Sequence, residues 1–263
     1  GMEDGITLIG SNKVHLQLRA PNKPWAFVLG DFNNWQLDSA HLMTPTPDGQ
    51  TFWIQVDNLS PQTRYRFQYY VGPDGVKIAD PYSELILDPW NDQFIDQQTF
   101  PNRPFYPAGQ SGFVSVFQTD EPEYNWDNSI SYQRPDNRDL VIYELLVREF
   151  DERHTFQSVI DRLDYLEELN INALQLMPVM EFEGNDSWGY NPSYMLATDK
   201  YYGPKNDLKR LIEECHRRGI AVILDITLNH QFGQSPLCQL YWDDVNNQPA
   251  ADNPWFNTIA RHP

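Results

Sequence analysis

The first hundred residues contain short runs in which apolar and polar positions alternate. The runs VHLQLRA (14–20) and TFWIQV (51–56) alternate, and RYRFQYYV (64–71) follows the second of them. Between the first two, WAFVLG (25–30) is a compact apolar run. Turn-forming residues such as PDGQ at 47–50 and LSPQ at 59–62 separate the later runs. Alternation with a period of two, without a helical period, is typical of half-buried strands. The pattern predicts a small antiparallel sandwich.

From residue 140 onwards the pattern changes to nearly continuous apolar strands that alternate with amphipathic helices. The predicted strands are LVIYELLV (140–147), INALQLMPV (171–179) and IAVILDITLN (220–229). Residues 155–170 and 206–219 have apolar positions at helical spacing. Thr155 is a predicted N-cap, and Asn170 a predicted C-terminal stop. Strands and helices in this order imply right-handed crossovers and a parallel sheet.

Composition narrows the classes of partner. The chain has 263 residues, with 37 acidic and 19 basic side chains and a formal net charge of −18. This charge repels phosphate backbones and anionic lipids, so we expect neither a nucleic acid nor a membrane as partner. No apolar run is long enough to span a bilayer. Gly1 before Met2 is typical of a tag remnant, so the sequence leaves the cellular location open, with the cytoplasm favoured.

Aromatic and cysteine content add two points. Aromatic residues make up 14% of the chain and include 8 Trp. They fit either a large core or surfaces on which flat apolar ligands, such as sugar rings, could stack. The two cysteines, Cys215 and Cys238, have no metal-like spacing and imply no disulfide framework.

Polar residues interrupt the end of the third predicted strand. Asp225, Thr227 and Asn229 alternate onto one face, and His230 follows them. Such side chains need hydrogen bonds or ions, because burying them unpaired is costly. In parallel α/β folds, functional residues gather beyond the carboxyl ends of the strands. Two interpretations remain open: a functional cluster, or an Asp225 that pairs with an arginine and braces the sheet.

The second predicted strand leads into a connection that is longer than usual. Residues 180–204 separate that strand from the following helix, and long connections of this kind tend to be functional. Five aromatic residues lie in it: Trp188, Tyr190, Tyr194, Tyr201 and Tyr202. We expect most of them to pack the connection onto the sheet. One exposed ring over a cavity would form a platform for a sugar, but the pattern does not say which.

Several motifs in the second half resemble the alpha-amylase superfamily of glycoside hydrolases and transglycosidases. They are LMPVMEF, WGYNPSYMLATDKYYG and GIAVILDITLNH, and they occur in this order after YELLVREF. FVLGDFNNW and ADPYSELILDPWN, in the first half, resemble the starch-binding, immunoglobulin-like module that precedes the barrel in branching and debranching enzymes. The resemblance implies a multidomain chain: an all-β immunoglobulin-like sandwich (1–108), a connector (109–137) and an incomplete TIM-type α/β barrel with about three strands (138–263).

The resemblance also implies roles for individual residues. Tyr190 would be the platform under the sugar ring at the cleavage subsite, and His230 would hydrogen-bond hydroxyls of that ring. Asp225 would orient the arginine that supports the nucleophile. Asn229 matches a position that binds structural calcium in many members. Because calcium takes six or more oxygen ligands and only one is identified, the sequence implies no required cofactor and gives calcium limited support.

The front module departs from its glucan-binding relatives. The Trp of the NNW motif, on which a sugar would stack, is present as Trp35. Lys77 occupies the position at which those relatives often have a second Trp. We therefore expect residues 1–100 to bind starch weakly or not at all. The alternative role for Trp35 is packing of the sandwich against the barrel.

The catalytic carboxylates have no counterpart in this chain. In the family, the nucleophile and the acid come from the fourth and fifth barrel strands, which would lie beyond Pro263. We expect an inactive front part of a retaining α-glucan hydrolase, which binds α-glucan and self-associates through its open barrel. Leu146 and the Asn229-His230 pair favour hydrolysis over branching or other transfer. The alternatives are a transglycosidase parent, a non-catalytic glucan-binding or scaffold protein, and an unrelated α/β enzyme that uses Asp225 and His230.

Overall fold

A computed structural model describes residues 2–259, which begin with a set of antiparallel strands. The strands are β1 (Gly5–Ile9), β2 (Lys13–Arg19), β3 (Ala26–Gly30), β4 (Thr44–Pro45), β5 (Thr51–Val56), β6 (Arg64–Val71), β7 (Val76–Ile78), β8 (Ile86–Leu87) and β9 (Val114–Gln118). The four predicted runs of the sequence correspond to β2, β3, β5 and β6. The prediction of these four strands is therefore confirmed.

These strands form two sheets that face each other. One sheet has the order β1-β2-β5-β4, and the other has the order β3-β6-β9-β8 with β7 paired to β6. Leu16 and Phe52 from the first sheet share one buried cluster with Val28, Phe67 and Tyr69 from the second. Inward-facing apolar residues of two sheets thus build a single core, which is the arrangement of a sandwich.

The sandwich extends further along the chain than residue 108, so the predicted boundary is wrong. Strand β9 pairs with β6, with Phe117 opposite Tyr65, and its other edge pairs with β8. The strand lies inside the segment assigned to the connector. Its partner β6 lies about fifty residues earlier, and local periodicity does not reveal so distant a pairing.

The second region contains a parallel three-stranded sheet. Its elements in chain order are β10 (Ile142–Leu145), α1 (Val147–Phe150), α2 (Phe156–Ile160), α3 (Leu163–Glu168), β11 (Ala173–Leu176), β12 (Met180–Phe182), β13 (Pro192–Thr198), α4 (Lys205–Arg217), β14 (Ala221–Leu224), α5 (Pro236–Gln239), β15 (Trp242–Asp243) and β16 (Gln248–Pro249). The sheet order is β10-β11-β14, and both pairings are parallel. Apolar residues of all three strands pack against α2, α3 and α4. This is the strand–helix arrangement of a partial TIM barrel.

The helix signals hold at the ends but not in the middle of the first predicted helix. The Thr155 side chain accepts a hydrogen bond from the Ser158 backbone N–H at 3.1 Å, and Asn170 adopts a φ of 58°, so both caps are confirmed. Between them the chain leaves helical geometry at Arg162, where ψ is 8°. The predicted single helix is therefore two short ones, α2 and α3.

The third parallel strand is shorter than predicted. Strand β14 ends at Leu224, and the last hydrogen bond along it runs from Asp225 N to Leu176 O. The neighbouring strand β11 ends there, before Pro178, so the chain beyond Asp225 has no strand to pair with. Ile226 and Leu228 lie beyond the end of the strand and are exposed rather than packed, and Leu224, at the end of β14, is exposed as well.

A buried group of charged side chains joins the two regions. Lys200 is 1% exposed; its ammonium contacts the Glu181 carboxylate and lies 3.3 Å from Asp92 Oδ1. Arg103 Nη1 lies 2.9 Å from Asp92 Oδ2 on the other side. Asp92 and Arg103 follow β8, whereas Glu181 lies in β12 and Lys200 follows β13. This ion network therefore ties the sandwich to the barrel region. No helix within residues 2–259 combines the length and the apolar character needed to cross a membrane.

Candidate functional site

The carboxyl edge of the parallel sheet carries the candidate site. Asp225 follows β14 directly, and the connection between β11 and α4 folds over the same edge. That connection is not an irregular loop, because β12 and β13 pair in it as an antiparallel hairpin. The tip of this hairpin, residues 183–191, therefore lies close to the end of β14.

The hairpin tip holds Tyr190 against Asp225. The Tyr190 hydroxyl donates a hydrogen bond of 2.7 Å to Asp225 Oδ2. This bond is the main reason that the pKa of Tyr190 rises to about 12, and partial burial adds to it. The phenol consequently stays protonated across the physiological range and keeps donating to the carboxylate.

His230 fixes the backbone of the same residue. Its Nε2 lies 2.7 Å from the carbonyl oxygen of Tyr190. A carbonyl oxygen only accepts, so Nε2 carries the proton in this contact. Three residues that the sequence marked separately thus meet at one edge of the sheet. The Asp225 carboxylate is bonded to Tyr190. This contact differs from the alternative interpretation, in which Asp225 would pair with an arginine and brace the sheet.

The backbone at the tip depends on a glycine. Gly189 has a φ of +89°, and a Cβ there would lie 2.3 Å from the carbonyl oxygen of Pro178. Only glycine allows this approach without displacing the backbone. Gly184, in the same hairpin tip, has a φ of +80° but open space around it. The contact with Pro178 therefore sets how closely Tyr190 approaches the strand ends.

The structure decides which aromatic residues of the connection are available to a ligand. Tyr194 and Tyr202 are buried, and Tyr201 is half-buried. Trp188 and Tyr190 are exposed, and Tyr190 is the one bonded to Asp225. The expectation that most of these rings pack the connection is confirmed for three of the five.

The other polar residues of the third strand do not join this cluster. Thr227 is buried, and its hydroxyl has no hydrogen-bonding partner in the described part of the chain. Asn229 is exposed. Within residues 2–259 no group of three or more His, Cys, Asp or Glu side chains is placed to hold a metal ion. Calcium at Asn229 stays a prediction from the family resemblance.

Trp35 lies apart from these residues, in the sandwich. Its Nε1 donates a hydrogen bond of 3.1 Å to Asp31 Oδ1, and its ring packs against a cluster of β8 and β9 that includes Leu87 and Val114. Trp35 thus packs within the sandwich, and not between the sandwich and the barrel region. At the position of the second platform residue, the Lys77 ammonium donates to Gln110 Oε1 at 3.0 Å.

A sandwich loop beside the hairpin tip was missed by sequence reasoning. Asn185 Nδ2 donates a hydrogen bond of 3.1 Å to the backbone oxygen of Asn91. Burial is the main cause that raises the pKa of the Glu183 carboxyl. The hydrogen bond with Gln234 lowers this pKa, and the nearby Asp88 carboxylate raises it. The loop at residues 88–95 and the segment after His230 therefore both border the tip. The run ILDPWN, with a Trp between turn-forming residues, was the available signal in the sequence.

A parallel sheet with helices packed against it, preceded by a β-sandwich, places this chain in the class of α/β-barrel proteins that carry an accessory β domain. The family described as alpha amylase, catalytic domain, matches residues 121–263. This match covers more than half of the chain, and the chain belongs to the alpha-amylase family of glycoside hydrolases.

Individual relatives agree with this assignment. The chain is 36% identical over 159 residues to a malto-oligosyltrehalose trehalohydrolase of Saccharolobus solfataricus, a match that covers 60% of this chain and 26% of the relative. A solved structure described as an alpha amylase from Salmonella typhimurium aligns with a TM-score of 0.70 at 26% identity and covers 98% of this chain and 38% of that one. The pullulanase SAP of Group B Streptococcus, solved with maltotetraose, aligns with a TM-score of 0.67 at 22% identity and covers 90% and 35%. Because the identity to the pullulanase is 22%, that comparison supports the fold alone. The chain spans about a quarter of the first relative's length.

Proposed function

We propose that this chain forms the substrate-holding front part of a retaining α-glucan hydrolase and contains neither its nucleophile nor its acid. The observation that carries the proposal is the assembly of Tyr190, Asp225 and His230 at the carboxyl edge of the parallel strands. Tyr190 comes from the hairpin tip and the other two residues from the segment after β14. Barrel enzymes place their substrates at this edge.

Tyr190 is the residue proposed to contact the sugar. Its ring is 40% exposed, while its hydroxyl and its backbone oxygen are both held by other residues. A ring fixed in this way can stack on the apolar face of a glucose unit without a large loss of side-chain entropy. Asp225 and His230 act here as positioning groups for that ring.

The chemical step needs more than this cluster. A retaining glycosidase uses two carboxyl groups about 5 Å apart, one as nucleophile and one as acid. Asp225 is occupied by the Tyr190 hydroxyl, and the family resemblance gives it a supporting role. We therefore assign the nucleophile and the acid to residues outside this chain and expect this chain alone to be inactive.

The sandwich and the exposed sheet edge have proposed roles as well. We propose that the sandwich is the immunoglobulin-like accessory module of the enzyme, with little starch binding of its own, because the Trp35 ring is largely occupied by packing. The exposed Leu224, Ile226 and Leu228 favour self-association of this chain. Sedimentation velocity of the wild-type chain and of Leu228→Ser tests this: equal monomer fractions contradict it.

The experiment for the main proposal is calorimetric titration of the chain with maltotetraose. Wild type should bind, Tyr190→Ala should lose about tenfold in affinity or more, and Tyr165→Ala should bind like wild type. Tyr165 is a matched control, since it is an exposed tyrosine on α3. Absence of binding by wild type would refute the proposal. Hydrolysis of maltotetraose by this chain, lost in Asp225→Asn, would instead support a self-sufficient enzyme.

A further inference from the structure

Five exposed aromatic rings lie on three neighbouring segments around the candidate site. Trp188 and Tyr190 lie on the hairpin tip, Trp90 and Phe94 on the sandwich loop at residues 88–95, and Phe232 in the segment after His230. Trp90 is 49% exposed and Phe94 is 71% exposed. Isolated exposed apolar residues are ordinary, but several on adjoining segments indicate a binding surface.

Direct contacts connect the sandwich loop to the hairpin. Asn91, next to Trp90, accepts the hydrogen bond from Asn185 at the hairpin tip. The Trp90 ring packs edge-on against Phe113 at 5.7 Å, and Phe113 packs in the same way against Tyr194 of β13 at 5.5 Å. Trp90 is thus held beside the hairpin by its backbone neighbour and by its ring.

The buried ion network holds the same loop in place. Asp92, which pairs with Lys200 and Arg103, begins the short 3-10 turn Asp92–Phe94 that presents the Phe94 ring. A binding surface on a fixed element loses little conformational entropy when the ligand binds. The two rings therefore have the rigidity expected of binding residues.

The loop is also close enough to Tyr190 to share one ligand. Asn185 and Tyr190 are five residues apart, so their Cα atoms are at most about 18 Å apart even in a fully extended chain. On the other side, Phe232 N donates to the backbone oxygen of Pro192 at 2.9 Å, which places that segment against the base of the tip. The three segments thus form one continuous border.

We propose that the sandwich loop extends the glucan site, with Trp90 and Phe94 contacting glucose units beyond the one at Tyr190. This proposal rests on the proposed function and adds that the front module contributes to the choice of chain length. The ligand class follows from chemistry: aromatic faces suit the apolar faces of sugar rings, and a chain with a net charge of −18 disfavours anionic polymers. A neutral, linear α-glucan of several units fits both conditions.

The test compares maltose with maltoheptaose by calorimetric titration of the full chain. Trp90→Ala and Phe94→Ala should each weaken maltoheptaose binding by about tenfold and leave maltose binding unchanged. Trp126→Ala and Phe105→Ala are matched controls: Trp126 is 42% exposed and packs edge-on against one ring, Tyr124, and Phe105 is 80% exposed. Both controls should bind maltoheptaose like wild type.

The outcomes separate this proposal from the proposed function. If Tyr190→Ala weakens both sugars while Trp90→Ala and Phe94→Ala change neither, the proposed function stands and the extended site is refuted. If the wild-type chain binds neither sugar, both fail. Phe94→Ala keeps the test decisive if Trp90→Ala does not fold, because the exposed Phe94 ring has little packing to lose.

Discussion

Replacement of Lys200 by Met tests whether the ion network holds the two regions together. Lys200→Met preserves the length of the side chain but removes its charge. Although burial lowers the pKa of Lys200, the carboxyl groups of Asp92, Glu181 and Asp199 raise it more, so the net shift is upward and Lys200 is charged in the native protein. The variant therefore removes the Lys200 cation from beside these three buried acids.

The expected cost follows from the burial of this group. Removing one partner of a buried ion pair typically costs about 3–5 kcal/mol, because the remaining charge is desolvated and unpaired. Arg103 still pairs with Asp92, so we expect about 3 kcal/mol, the lower end of that range. The double variant Lys200→Met/Glu181→Gln should recover part of the loss, since it also removes one of the unpaired acids.

Urea unfolding at pH 7, followed by tryptophan fluorescence, measures this change. Lys13→Met is the control, because the Lys13–Asp57 pair is exposed at 42% and 43% of the two side chains and should contribute far less to stability than the buried network. Equal free energies of unfolding for Lys200→Met and Lys13→Met would refute the argument. Weaker binding of maltoheptaose by Lys200→Met, measured under folded conditions, would further link the network to the position of the sandwich loop.

Three further predictions concern separate features of the chain. Gly189→Ala should lower maltotetraose affinity about tenfold, whereas Gly184→Ala, with similar φ but open space, should not; equal affinities would contradict the role of the Pro178 contact. Burial raises the pKa of Asp80 from 3.8 to about 6, so the folded state keeps a proton that the unfolded chain releases, and stability falls as pH rises from about 4 to about 6. The unfolding free energy of wild type minus that of Asp80→Asn should therefore drop by about 2 kcal/mol across this range in urea titrations, and a constant difference would oppose this view. Trp35→Ala should lower stability by about 2 kcal/mol yet leave retention on amylopectin gels unchanged, and the reverse result would show that Trp35 binds glucan.

The sequence by itself determined the elements whose signal is local. Alternation and one compact apolar run placed β2, β3, β5 and β6, and the chemistry of Thr155 and Asn170 placed the two ends of a helical segment. Side-chain periodicity and capping depend on residues within one or two turns, so they can be recognised without knowing the fold. The sequence motifs likewise marked Tyr190, Asp225 and His230 as candidates, through family resemblance for their roles.

Only the tertiary structure decided how these pieces meet. The pairing of β9 with β6, the end of β14 at Leu224 and the bond between Tyr190 and Asp225 each depend on segments 35 or more residues apart. The sandwich loop reaches the hairpin tip through Asn91 and Asn185, which are 94 residues apart. Contacts over such separations leave no periodic trace in the chain, because they arise from the packing of complete elements and not from the spacing of residues within one element.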